Sequence, residues 1–130
     1  MPEKADNDND NSIITLLEYR DFKMLFTGDV SALLLESIIN KLPKDITVLK
    51  VPHHGAVGSV SKEIVEYLNP KYSLISVGEN KFGHPSLYTL TLLNPSEILR
   101  TDINNAILIK VNKSKMKILT YDLKKKKWAN

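Results

Sequence analysis

Three places in the chain end an apolar run on residue types that bind metals or move protons: Thr27-Gly28-Asp29, His53-His54-Gly55 and Gly83-His84-Pro85. Between them they use all three of the chain's histidines. Carboxylate and imidazole together form the donor set that suits zinc, manganese or iron. The chain has no cysteine, which excludes thiolate metal sites, disulfides and cysteine nucleophiles. Two adjacent histidines in an extended strand would point to opposite faces, but Pro52 and Gly55 on either side supply a turn. Each piece also has a plain structural role open to it. Asp29 stands two residues before a helix start and could cap it, and His84 before a proline could be a loop residue that bonds backbone. The conjunction of all three points to a site.

The elements that must hold these residues can be read from hydrophobic periodicity. Residues 12–20 and 22–29 are apolar, β-leaning runs split by Asp21, which predicts two strands and a tight turn. From Ser31 the spacing of Leu34, Leu35, Ile38, Ile39 and Leu42 turns helical, with Pro43 near the end. A buried strand over 46–51 follows, then a helix over 61–70 capped by Ser61, a strand over 72–78 and a short helix over 86–93. Three strands close the chain, the last two a hairpin around residues 112–114. The order β-β-α-β-α-β-α-β-β-β predicts a layered α/β (α+β) domain with a mixed sheet. Strand-end loops gather on one edge of such a sheet, so the three polar strand ends can converge.

Residues 1–11 read as a flexible lead-in, 12–123 as the domain and 124–130 as a basic tail. In the lead-in, Asp6, Asp8 and Asp10 alternate as in a calcium loop. Leu17 stands where such a loop needs its bidentate carboxylate, so calcium is disfavoured. At 130 residues, 42% hydrophobic and 25% charged, the composition is that of one soluble globular domain. The net charge is +3, but Lys124–Lys127 alone contributes four positive charges. Without that run the body is close to neutral, and the run itself reads as a solvated tail rather than a nucleic-acid contact. No apolar run approaches the roughly 20 residues of a membrane span, and the Asn/Asp-rich start does not look like a signal peptide.

The stretches "LFTGDV", "VLKVPHHG", "KYSLISVGENKFGHP" and "LRTD" with "AILIKV" occur in an order and spacing that resemble a known family. It is the C-terminal half of the metallo-β-lactamase-like domain of the ComEC/Rec2 competence proteins, and the resemblance spans about residues 12 to 120. It implies part of an αββα sandwich that binds two divalent metals, zinc or manganese, at one edge. Asp29 matches the carboxylate bridging the metals, and His84 the late histidine ligand. His53 and His54 match a pair lying beside the metals, which contacts the scissile phosphate or protonates a leaving group. Ser59 matches a serine that contacts phosphate. The implied reaction is hydrolysis of a phosphodiester by a metal-bound hydroxide, with DNA as the substrate in competence proteins.

The family's HxHxDH-type cluster belongs to the N-terminal half of that domain, and no histidine precedes Asp29 here. The resemblance therefore implies an incomplete metal site with little activity in the isolated chain, or a non-catalytic binding or assembly module that keeps the fold. It also implies self-association or pairing with the missing half through the N-terminal strands. A stand-alone product would be cytoplasmic, and a piece of a competence-protein parent would be membrane-associated.

Overall fold

A computed structural model describes residues 7–130 of the chain. Strands β1 (Thr15–Tyr19) and β2 (Phe22–Phe26) pair antiparallel around Arg20-Asp21, and Arg20 takes the left-handed conformation (φ 53°) that tight hairpins use. On its other side β2 is parallel to β3 (Val48–Lys50), which is parallel in turn to β4 (Tyr72–Ile75) and then to β5 (Glu97–Arg100). The result is a mixed five-stranded sheet in the order β1-β2-β3-β4-β5. Parallel neighbours require crossovers. These are the helices α1 (Ala32–Ser37), α2 (Lys62–Leu68) and α3 (Leu87–Leu93).

Each crossover helix starts at a serine whose hydroxyl accepts an otherwise unpaired N–H of the first turn. Ser31 accepts from Leu34, Ser61 from Ile64 and Ser86 from Thr89. The helix expected over 31–43 is two pieces, because Ile38 leaves helical geometry (φ −114°, ψ 13°) and the chain continues as a 3₁₀ turn, Ile39–Lys41. Residues 101–102 follow β5 directly and open a short helix, α4 (Thr101–Asn104). The Arg100 guanidinium donates twice to the Asp102 carboxylate, and the Arg100 N–H donates to the Asn104 side chain, which folds this stretch up locally.

The remaining strands, β6 (Ile107–Asn112), β7 (Lys115–Asp122) and β8 (Lys127–Ala129), form a separate antiparallel sheet. Strand alternation explains how the five-stranded sheet serves two cores. Leu25, Leu49 and Ile75 face the helices and pack with Leu35, Ile64, Leu68 and Leu93. Their neighbours Met24, Val48 and Leu74 face the other way and meet Ile107, Ile109, Met116 and Ile118 of the second sheet. The chain is thus a mixed α+β structure in three layers: helices, five-stranded sheet, three-stranded sheet. Among the described residues there is no second helical layer.

Both chain ends differ from expectation. The basic run Lys124–Lys127 is exposed, as expected of a solvated segment, but the chain folds back there into β8. The cause is the Asp122 carboxylate, which accepts the N–H groups of Lys124 and Lys125 and turns the chain. At the start, residues 1–6 of the lead-in, Asp6 among them, lie outside the described residues. Asn7 to Asn11 are docked rather than loose. Asp10 accepts hydrogen bonds from both the N–H (2.6 Å) and the hydroxyl (2.9 Å) of Ser31, which ties this segment to the start of α1.

Candidate functional site

Strands β2, β3 and β4 run in the same direction, so the loops that follow them leave from one edge of the sheet. After β2, the buried Thr27 donates to the Lys50 carbonyl at the end of β3 (2.6 Å). After β3, Pro52–Gly55 is a tight turn in which His53 (φ 47°, ψ 45°) and His54 (φ 53°, ψ 24°) are both left-handed. Non-glycine residues resist that region by about 1–2 kcal/mol each, so the surrounding structure must impose it. Three contacts do so. The His53 N–H donates to the Gly28 carbonyl (3.0 Å), the Ser86 N–H donates to the Gly55 carbonyl (2.9 Å), and Thr89 Oγ1 donates to the Ala56 carbonyl (2.9 Å). Gly55 lies so close to Pro85 that a Cβ on it would stand 2.6 Å from the proline Cβ. The three loops are therefore bound to each other through their backbones.

This framework brings Asp29, His53, His54 and His84 together. His54 Nδ1 lies 2.6 Å from the Ser76 carbonyl oxygen, which can only accept, so Nδ1 carries the proton. In the neutral ring the free lone pair is then on Nε2, and Nε2 lies 3.9 Å from Asp29 Oδ1. A backbone carbonyl fixing the far nitrogen is the arrangement that orients metal-binding imidazoles. The His53 ring is 5.5 Å from the His84 ring and 6.3 Å from that of His54, edge-on to both. His84 stacks on Phe82 at 5.6 Å with 21° between the planes. Burial, and then the positive charges that His53 and His54 can carry, push the His84 imidazole below its ordinary value. Burial also lowers the Lys50 ammonium, an effect the nearby Asp29 carboxylate partly offsets.

The capping role open to Asp29 is filled by Ser31, which leaves the Asp29 carboxylate about half exposed and turned toward His54. Ser59 is not among the residues in contact. It is buried, and its hydroxyl has no hydrogen-bond partner among the described residues, so meeting a phosphate would require its loop to move. Three participants were not singled out from the sequence. Lys50 was read as strand, and at the end of β3 its ammonium donates to the Val51 carbonyl (3.3 Å). Asn80 holds the loop before His84, accepting from the Phe82 and His84 N–H groups and donating to the Gly78 and His84 carbonyls. Phe82, beside it, is exposed. The signal for Asn80 was present, since asparagine readily bonds to backbone two residues on.

As a metal centre the cluster is partial. Among the described residues no three histidine, aspartate or glutamate side chains are grouped closely enough to hold an ion. Asp29 and His54 do offer two facing donors of the right chemistry. A cavity of about 550 Å³ lies at the opposite edge, where the strands begin. It is lined by such residues as Asp45, Asn69, Lys71 and Asn94 and contains no histidine.

Comparison with known proteins finds 36% identity over 112 residues with ComE operon protein 3 of Bacillus subtilis strain 168. The alignment covers 82% of this chain and 14% of the length of that protein. No family model matches the chain, and no solved structure does.

Proposed function

Because the chain is a homologue of one segment of ComE operon protein 3, we propose that it is the C-terminal part of a metallo-β-lactamase-like phosphodiesterase domain working in DNA uptake. The observation that carries this reading is the convergence at one sheet edge, with His54 Nε2 turned to the Asp29 carboxylate by the Ser76 carbonyl. Asp29 and His84 are the metal ligands of this reading, and His54 Nε2 is a further donor facing Asp29. A bound zinc or manganese ion would supply Lewis-acid polarisation of the phosphate. The chain's own groups divide the remaining work. In this reading His53, edge-on to both other imidazoles, passes a proton to a departing oxygen. His84, held toward its neutral form, keeps a lone pair available.

A second reading has its own support. The absence of a three-donor group among the described residues favours a binding or assembly module that uses this edge without catalysis. Metal titration separates the two. Under the first, millimolar Mn²⁺ or Zn²⁺ raises the melting temperature, because an ion that binds the folded state at tenfold its Kd adds about 1.4 kcal/mol. Asp29→Ala removes the rise. Turnover of bis-p-nitrophenyl phosphate by the isolated chain is expected to be slight. A flat melting temperature together with no calorimetric heat on adding metal would hand the function to the second reading.

A further inference from the structure

Phe82 is 81% exposed, and its backbone is tied into a closed loop. Asn80 closes the loop on both sides of it with four backbone hydrogen bonds, and one ring face rests on His84. Isolated exposed apolar residues are ordinary and need no explanation. Phe82 differs because it lines, with His54 and His84, a shallow pocket of about 230 Å³ that opens beside the histidine cluster. The pocket surface is mostly apolar, with His54, His84 and Glu79 as its other polar side chains, and the Asn80 amide is already committed to backbone. The Glu79 carboxylate on its rim disfavours a phosphate there.

We propose that Phe82, braced by Asn80 and stacked on His84, is a platform for the nucleobase next to a phosphodiester held at the histidines. The inference rests on the phosphodiester reading above and adds a substrate class to it: single strands, whose unstacked bases have a free face. The geometry divides the nucleotide in two. Its phosphate belongs with His53 and His54, and its base with the apolar ring. Every base has a π-face, so the platform is tolerant of sequence. The anchored loop backbone leaves less chain to order on binding.

The test uses the full chain, ¹⁵N-labelled, titrated with tetrathymidylate and with an abasic tetramer of the same backbone, each followed by amide shifts. Tetrathymidylate is expected to move the amides of residues 79–84 together with those of the histidine turn. Phe82→Ala is expected to weaken its binding about tenfold, in line with base–aromatic stacking. Phe82→Leu, apolar but without a ring, should behave like Phe82→Ala, and Phe82→Trp should restore binding. The abasic tetramer should bind the parent chain and Phe82→Ala alike. Equal binding of tetrathymidylate by the parent and Phe82→Ala, with shifts at the histidine turn, overturns the platform and leaves the phosphodiester reading standing. Shifts at the histidine turn with neither oligomer overturn both.

Discussion

His84 takes part in two neighbouring interactions at once, its ring stacked on Phe82 and set edge-on against His53. Its imidazole is held below its ordinary value of 6.5, first by burial and then by the two other histidines. In the unfolded chain the same ring takes up its proton near that ordinary value. As pH falls through about 6.5 the unfolded state therefore binds more protons than the folded one, and stability declines until the folded ring also titrates. The prediction is a lower urea midpoint at pH 5.5 than at pH 7.5, with the difference reduced in His84→Gln. An unchanged difference in that variant would place the acid sensitivity elsewhere. His54 adds a constraint of another kind. Its Nδ1–H is committed to the Ser76 carbonyl, so only Nε2 is left for chemistry, and that atom faces Asp29.

At the scale of elements, the contact between Gly55 and Pro85 joins the turn after β3 to the loop that carries His84. Gly55 is left-handed (φ 77°), and an added Cβ would meet Pro85 at 2.6 Å. Gly58 is equally left-handed (φ 80°) but has open space where its Cβ would be. Gly55→Ala is expected to destabilise by roughly 2–4 kcal/mol, through backbone strain plus overpacking, whereas Gly58→Ala should lose only about 1–2 kcal/mol from the backbone. Urea denaturation of the two variants side by side checks this, and equal losses would mean that the two loops are not wedged together. The same scale shows why parts of the structure were legible in the sequence. Ser61 and the run Ile64, Val65, Leu68 announce α2 because capping and helical spacing are local. The three polar strand ends could be expected to meet because parallel strands share an edge. By contrast, α4 arises from the Arg100–Asp102 ion pair, and the docking of Asp10 on Ser31 spans about twenty residues. Neither leaves a periodic trace. The site's bracing by Asn80 was present in the sequence, but only as one polar residue in a loop.

For the whole molecule, the two sheets are unequal in width, and the consequence falls on β1. The pairing of Leu17 with Met24 and of Tyr19 with Phe22 puts both β1 residues on the face turned to the three-stranded sheet. That sheet does not reach them. Leu17 remains 49% and Tyr19 44% exposed, and β1 is an edge strand of the five-stranded sheet. An apolar face along an open edge favours association. Light scattering after size exclusion is expected to show the chain larger than a monomer at high concentration, with Leu17→Lys shifting it toward monomer. A monodisperse monomer throughout would count against that use of the edge.

The second sheet has a consequence for observing the protein as well. Trp128, the chain's single tryptophan, sits on β8 with its ring 5.3 Å from Tyr121 on β7. Its emission is therefore a gauge of the hairpin formed by β7 and β8. A melt followed by that signal times the departure of β8, while occupancy of the edge is read from a reporter placed near residue 82.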